Sequence, residues 1–133
     1  MSRNTSQLSF TVYGAAVGKP HMTHADRWKK RPCVVQYWSW CDAVRKAARI
    51  TGKVALIAPT SLNITIYLPM PKSWSRREKL EAMGCPHMQR PDADNILKGI
   101  SDALTTNDAY IHKMSAAKYW DDGHGARVEV RLT

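Results

Sequence analysis

The sequence predicts an α/β or α+β fold, a small mixed β-sheet with helices packed on it. Three observations predict it. Three segments alternate strictly between apolar and polar residues; the stretches between them carry apolar residues at helical spacing; and 133 residues at 44% hydrophobic can close one core but not two. A single domain spanning 1–133 is expected.

Taken in order, Leu8, Phe10 and Val12 alternate with Ser9, Thr11 and Tyr13, which predicts a strand with one face in a core and one wetter. Residues 18–32 follow as a loop, long for a compact domain and therefore a candidate for function. A helix is expected over 38–50, where Cys41, Val44 and Ala48 share a face opposite Arg45, Lys46 and Arg49. Leu62, Ile64, Ile66 and Leu68 form the second alternating strand. After the L-P-M-P-K turn, residues 73–83 read as a helix capped by Ser73 or Ser75. The clearest helix is 92–104: Ile96, Leu97, Ile100, Ala103 and Leu104 make one stripe, and Pro91 marks its start. A weakly patterned strand is expected within 110–119, and Val128, Val130 and Leu132 give the last one. No repeat or low-complexity tract interrupts this order.

Charge narrows the function classes. Twenty Lys and Arg against eleven Asp and Glu give a net charge of +9, which points to a polyanionic partner, nucleic acid before an acidic membrane. No apolar run reaches the length of a membrane span, and the first residues, MSRNTSQLSF, lack a signal-peptide stretch. Cys33, Cys41 and Cys85 are an odd set without close pairing, as in a reducing cytoplasm. The excess is uneven: residues 1–91 hold fifteen of the twenty bases and four of the eleven acids, so 92–133 is net acidic. A phosphate-gripping protein gains nothing from acids beside its ligand, whereas a nuclease needs carboxylates to hold a cation against the scissile phosphate.

Those acids have the spacing of a metal site. In Arg90-Pro91-Asp92-Ala93-Asp94-Asn95-Ile96-Leu97-Lys98, two carboxylates flank one residue at a loop-to-helix junction, where i and i+2 can converge on one cation. Such a pair repels itself unless neutralised, and a hard ion such as Mg²⁺ suits all-oxygen ligands. Lys98, one helical turn after Asp94, could orient a carboxylate or stabilise charge at the attacked phosphodiester. The same residues also admit a plain reading: Asp92 as a helix cap, Asp94 favoured by the helix dipole, and Asp94, Lys98 and Asp102 as a surface ion-pair ladder. Asp108, after a short turn, is a third acid whose proximity to the pair depends on the fold.

The block RPDADNILKGISDAL (90–104), then NDAYI (107–111) and Lys118, resembles the RusA-type Holliday-junction resolvases. That family's pattern is P-D-x-D-N-hydrophobic-x-K, then D-A-L, then a D-D turn and a lysine in the next strand. The front end is similar too, a strand ending at Gly14 and a basic loop with Lys19-Pro20 and Arg27. The resemblance implies a RusA-like, homodimeric α/β fold acting with Mg²⁺ on four-way DNA junctions, and a phage or prophage origin. It places the catalytic and metal-binding acids on Asp92, Asp94 and Asp108 and the catalytic lysine on Lys98; Asn107 stands where the family's turn usually has its first Asp.

The expectation is therefore an Mg²⁺-dependent endodeoxyribonuclease, with Mn²⁺ as a substitute ion, making paired symmetric nicks as a cytoplasmic homodimer in recombination and repair. Lys19, Arg27, Lys29, Lys30 and Arg31 of the basic loop, with Arg90, Lys113 and Lys118, are expected to hold DNA arms through phosphates. The alternatives are a non-catalytic branched-DNA binder and a nuclease for flaps or forks. Cys33, Cys41, Cys85 and His87 lack zinc-site spacing. His21 and His24 read as exposed polar loop residues, and Trp38 and Trp40 as core or dimer interface. Trp28, among cations, has the setting of a base-stacking residue, and Met88 that of an apolar wedge in bent DNA.

Overall fold

A computed structural model describes residues 8–50, 61–105 and 111–133. Its elements are β1 (Leu8–Tyr13), a short 3-10 turn (His24–Arg27), α1 (Pro32–Ile50), β2 (Ser61–Leu68), α2 (Arg76–Ala82), α3 (Ala93–Leu104), β3 (Lys113–Trp120) and β4 (Arg127–Leu132). The four strands form one mixed sheet in the order β1-β4-β2-β3. β4 runs antiparallel to both β1 and β2, and β3 is parallel to β2. A parallel pair needs a crossover of a dozen or more residues, and α2 and α3 lie within it.

The predicted alternation becomes one buried face. Leu8, Phe10 and Val12 of β1, Leu62, Ile64, Ile66 and Leu68 of β2, and Val128, Val130 and Leu132 of β4 are all buried. α1 and α3 pack on that face and on each other, contributing Val44, Ile96 and Ile100, none of which has any exposed surface. Truncating either isoleucine to alanine would cost about 2–5 kcal/mol, the usual range for a sealed core position. The opposite face carries Ser9, Thr11, Asn63, Thr65, Glu129 and Arg131, which explains the polar half of each strand.

The structure differs from the sequence reading at several boundaries. α1 starts at Pro32 rather than at residue 38, because its stripe extends back through Val34 and Tyr37, both buried. Pro32 opens it without loss, since the first helical N–H has no partner in the helix. Trp40 joins the core and Trp38 is exposed on the single chain. α2 is shorter than 73–83. Ser75 is its cap: its Oγ accepts the N–H of Glu78 and its own N–H donates to the Glu78 carboxylate. Gly84, at φ +71°, stops the chain just beyond the helix in a conformation glycine adopts freely. β3 is an edge strand with only Trp120 buried, hence its weak pattern; it begins at Lys113, and residue 110 lies outside the described residues. Asp108 and Asn107 lie outside them too. No described helix is long and apolar enough to cross a membrane.

Candidate active site

The acid pair is delivered by the segment that joins α2 to α3. After Gly84 the chain docks on the free edge of β3. The N–H of Trp120 donates to the carbonyl of Cys85 at 2.9 Å, and the N–H of His87 to that of Lys118 at 3.0 Å. The His87 ring is buried against Trp120, centroids 4.2 Å apart, and the Trp74 ring packs on Trp120 at 4.7 Å, tilted by 55°. Burial there lowers the His87 pKa, and the Lys118 charge adds to the effect. The His87 Nδ1 accepts the N–H of Gln89. The Lys118 ammonium donates to the carbonyls of Gln89 and Pro91, the second at 2.7 Å. The Arg90–Pro91 peptide is cis.

The chain then enters α3. Asp92 is the N-cap residue in extended backbone geometry, and Asp94 lies in the first turn. The carbonyl of Asp92 accepts the N–H of Ile96, but its side chain caps nothing. That corrects the reading of Asp92 as a capping side chain. The surface ladder is absent as well, because the partner of Asp102 is Lys19, not Lys98. Lys98 is exposed, one turn beyond Asp94.

The segment after β1 closes the other side. A β-carbon on Gly18 would stand 3.4 Å from that of Pro91 and 3.5 Å from that of Asn95, so backbone and helix start are in contact. The N–H of Lys19 donates to the carbonyl of Asn95. Two grooves result. One of about 390 Å³ is lined by Gly18, Lys19, Arg90, Pro91, Asp92 and Asn95. The next, about 420 Å³, runs past Lys19, His21, Asn95 and Lys98. Asn95 and Lys19 are common to both. Asn95 and Gly18 were not singled out from the sequence, although Asn95 sits inside the acidic motif; Asp102 has no local signal, its partner being 83 residues away.

The acids sort into two groups. Asp26 binds Arg31, Asp42 binds Arg45, Glu81 binds Arg77 and Asp102 binds Lys19. Asp122 and Glu129 both bind Arg127, Glu78 completes the cap of α2, and Asp121 accepts the N–H groups of Gly123 and Gly125. Of the ten acids among the described residues, only Asp92 and Asp94 have side chains that make no ion pair or hydrogen bond with another described residue. Two exposed, unengaged carboxylates at the positive end of a helix form an oxygen-only donor set that suits a hard divalent cation. Among the described residues no group of three His, Cys, Asp or Glu is gathered for a metal. Cys33 and Cys85 are exposed and Cys41 is buried, all as thiols.

The cations predicted to hold DNA also divide. Arg27, Lys29, Lys30, Arg90 and Lys113 are exposed. Arg31 instead grips the buried Asp26 with two hydrogen bonds of 2.8 Å and the carbonyl of His21 with a third. Lys19 is paired with Asp102, and Lys118 with the two carbonyls. On the surface, Trp28 is 64% exposed, its ring edge-on to His24, and Met88 is 88% exposed.

A sequence profile described as Endodeoxyribonuclease RusA matches residues 16–133, a span containing every residue of both grooves. The chain is also 28% identical, over 94% of both chains, to the Bacillus subtilis (strain 168) protein "Uncharacterized protein YqaN". A nuclease family sets aside the reading as a non-catalytic binder. The match runs through the β1 exit, the helix that carries the two unengaged carboxylates and the strand that supports them, and the chain belongs to the RusA family of endodeoxyribonucleases, divalent-metal-dependent enzymes that resolve Holliday junctions.

Proposed function

We propose that the whole chain, 1–133, acts as one domain that cuts four-way DNA junctions at a site built on Asp92, Asp94 and Asp108, with Mg²⁺ as the ion and Mn²⁺ able to replace it. The observation that carries this reading is that Asp92 and Asp94 stand apart from every other described acid in having no partner. Bound between them, Mg²⁺ would supply a Lewis acid for the scissile phosphate and a more acidic water. The chain's own part is positional. The start of α3 carries both carboxylates, Asp92 on the rim of the groove it shares with Gly18 and Arg90 and Asp94 in the first turn, and the helix end stabilises their charge. Lys98, one turn on, faces the adjoining groove and would stabilise charge developing on the phosphodiester.

Arg27, Lys29, Lys30, Arg90 and Lys113 would grip the DNA arms through phosphates, without reading sequence. A four-way junction with two-fold symmetry requires two equivalent nicks, which a homodimer supplies. A phage or prophage origin and a cytoplasmic location accompany this reading, and the genes flanking this one test the origin. The functional test is cleavage of a labelled four-way junction, with flaps and forks in parallel. Asp94→Asn should cut at least about 100-fold more slowly while binding the junction no worse than the parent. Parental cleavage by Asp94→Asn would overturn the assignment, and faster cutting of flaps or forks would overturn the substrate.

A further inference from the structure

Lys118 occupies an unusual place for a lysine. In the register of β3 with the parallel β2 it lies beside Ile66, which puts it on the helix-covered face of the sheet with Leu62, Ile64 and Leu68. A lysine there needs acceptors for its ammonium, because an unpaired charge taken from water is costly. Two are supplied: the carbonyls of Gln89 and Pro91, immediately before the acid pair. The same strand already holds residues 85–87 through the main-chain bonds of Cys85 and His87. The segment is thus fixed to β3 by backbone at one end and by one side chain at the other. An ammonium has three donors, and two of these are taken by the carbonyls of Gln89 and Pro91.

We propose that Lys118 is a positioning residue of the nuclease site, holding the carbonyls of Gln89 and Pro91 so that the chain enters α3 with Asp92 and Asp94 set for one cation. This assigns to Lys118 a different task from the DNA contact its charge suggests. It rests on the two-carboxylate reading of the site. Groups one step removed from a metal commonly change metal affinity or activity 10- to 100-fold when removed, and a side chain whose only described polar contacts are these carbonyls should act in that way.

The test uses the full chain with Lys118→Met, Lys118→Arg and Asp94→Asn. Three quantities are read: junction binding without divalent metal as a function of salt, Mn²⁺ affinity from the paramagnetic resonance of the free ion, and cleavage at saturating junction. Lys118→Met is expected to bind the junction within about twofold of the parent with the same salt slope, to hold Mn²⁺ about tenfold more weakly, and to cleave about 10- to 100-fold more slowly. Lys118→Arg, which keeps the charge and changes the grip, is expected to fall between. Should Lys118→Met misfold, the arginine variant decides alone: slower cleavage at parental junction affinity supports the proposal, and parental values of both overturn it. A salt slope lower by about one phosphate, with cleavage at saturation unchanged, would make Lys118 a DNA contact and also overturn it. Parental cleavage by Asp94→Asn removes the site reading itself, whereas an inactive Asp94→Asn beside a fully active Lys118→Met removes only the role of Lys118.

Discussion

Gly99 of α3 lies against the ring of Tyr37 of α1: a β-carbon on the glycine would stand 2.9 Å from the tyrosine Cε1. Both residues are buried, and Ile96 and Ile100 flank the contact on the helix that carries the acid pair. Tyr37 has little room to retreat, since it is 4% exposed and packed within the hydrophobic core. Gly99→Ala is therefore expected to destabilise the fold by about 1–3 kcal/mol, an overpacking cost that outweighs alanine's better helix propensity. Denaturant unfolding checks it. An unchanged or raised midpoint would show that α1 and α3 can separate without penalty.

His87 gives the fold a pH dependence whose sign is fixed by its surroundings. Its folded pKa is lowered by burial and then by the Lys118 charge, so the unfolded chain takes up the proton more readily than the folded one. Stability is then complete above the ordinary histidine value near 6.5 and declines as the pH falls below it, until the folded pKa is reached. Melting temperatures between pH 7 and pH 5 should fall in the parent and fall less in His87→Phe, which keeps a ring against Trp120. Equal slopes for the two proteins would contradict the assignment.

How far the sequence reached depends on whether a feature is local. β1, β2 and β4 were legible because each has one face under helices and the other polar, so burial repeats every second residue. β3 was legible only as a weak pattern with loose bounds, because it is an edge strand whose positions beside the β2 aliphatics are Met114, Ala116, Lys118 and Trp120 rather than a run of aliphatics. The acid pair was legible as residue types at a spacing. What makes it a candidate site was hidden, since it depends on which acids are neutralised by partners remote in sequence, as Asp102 is by Lys19. In the same way the charges of Lys19, Arg31 and Lys118 are visible in the sequence, whereas the acids that pair with the first two and the carbonyls that bind the third are not.

Arg31 and its neighbours should accordingly behave differently when truncated. Lys29→Ala and Lys30→Ala each remove an exposed cation and are expected to weaken junction binding, with the slope of log affinity against log salt lower by about one. Arg31→Ala instead strips the partner from buried Asp26, whose carboxyl that guanidinium holds well below the usual range. The turn should loosen, and trypsin should cut after Lys29 and Lys30 faster than in the parent. In the parent the stability this pairing adds is complete above the ordinary aspartate value near 4 and declines as the pH falls below it toward the lowered folded value. If Arg31→Ala resists trypsin and lowers only the salt slope, Arg31 is a phosphate contact after all.

The unpartnered carboxylates also predict how binding responds to metal removal. Without a cation, Asp92 and Asp94 present two negative charges to an incoming phosphate, with no described side chain to neutralise them. Within a Debye length of roughly 8 Å at physiological salt that repulsion is only partly screened. Chelation with EDTA should therefore abolish cleavage and also weaken junction binding, by about two- to fivefold for charges in a solvent-exposed groove. The double variant Asp92→Asn with Asp94→Asn should be inactive, yet bind the junction in EDTA more tightly than the parent and respond little to added Mg²⁺. A titration by fluorescence anisotropy in both conditions reads this directly. Parental and variant affinities that coincide in EDTA would mean the two carboxylates lie away from the path of the DNA backbone.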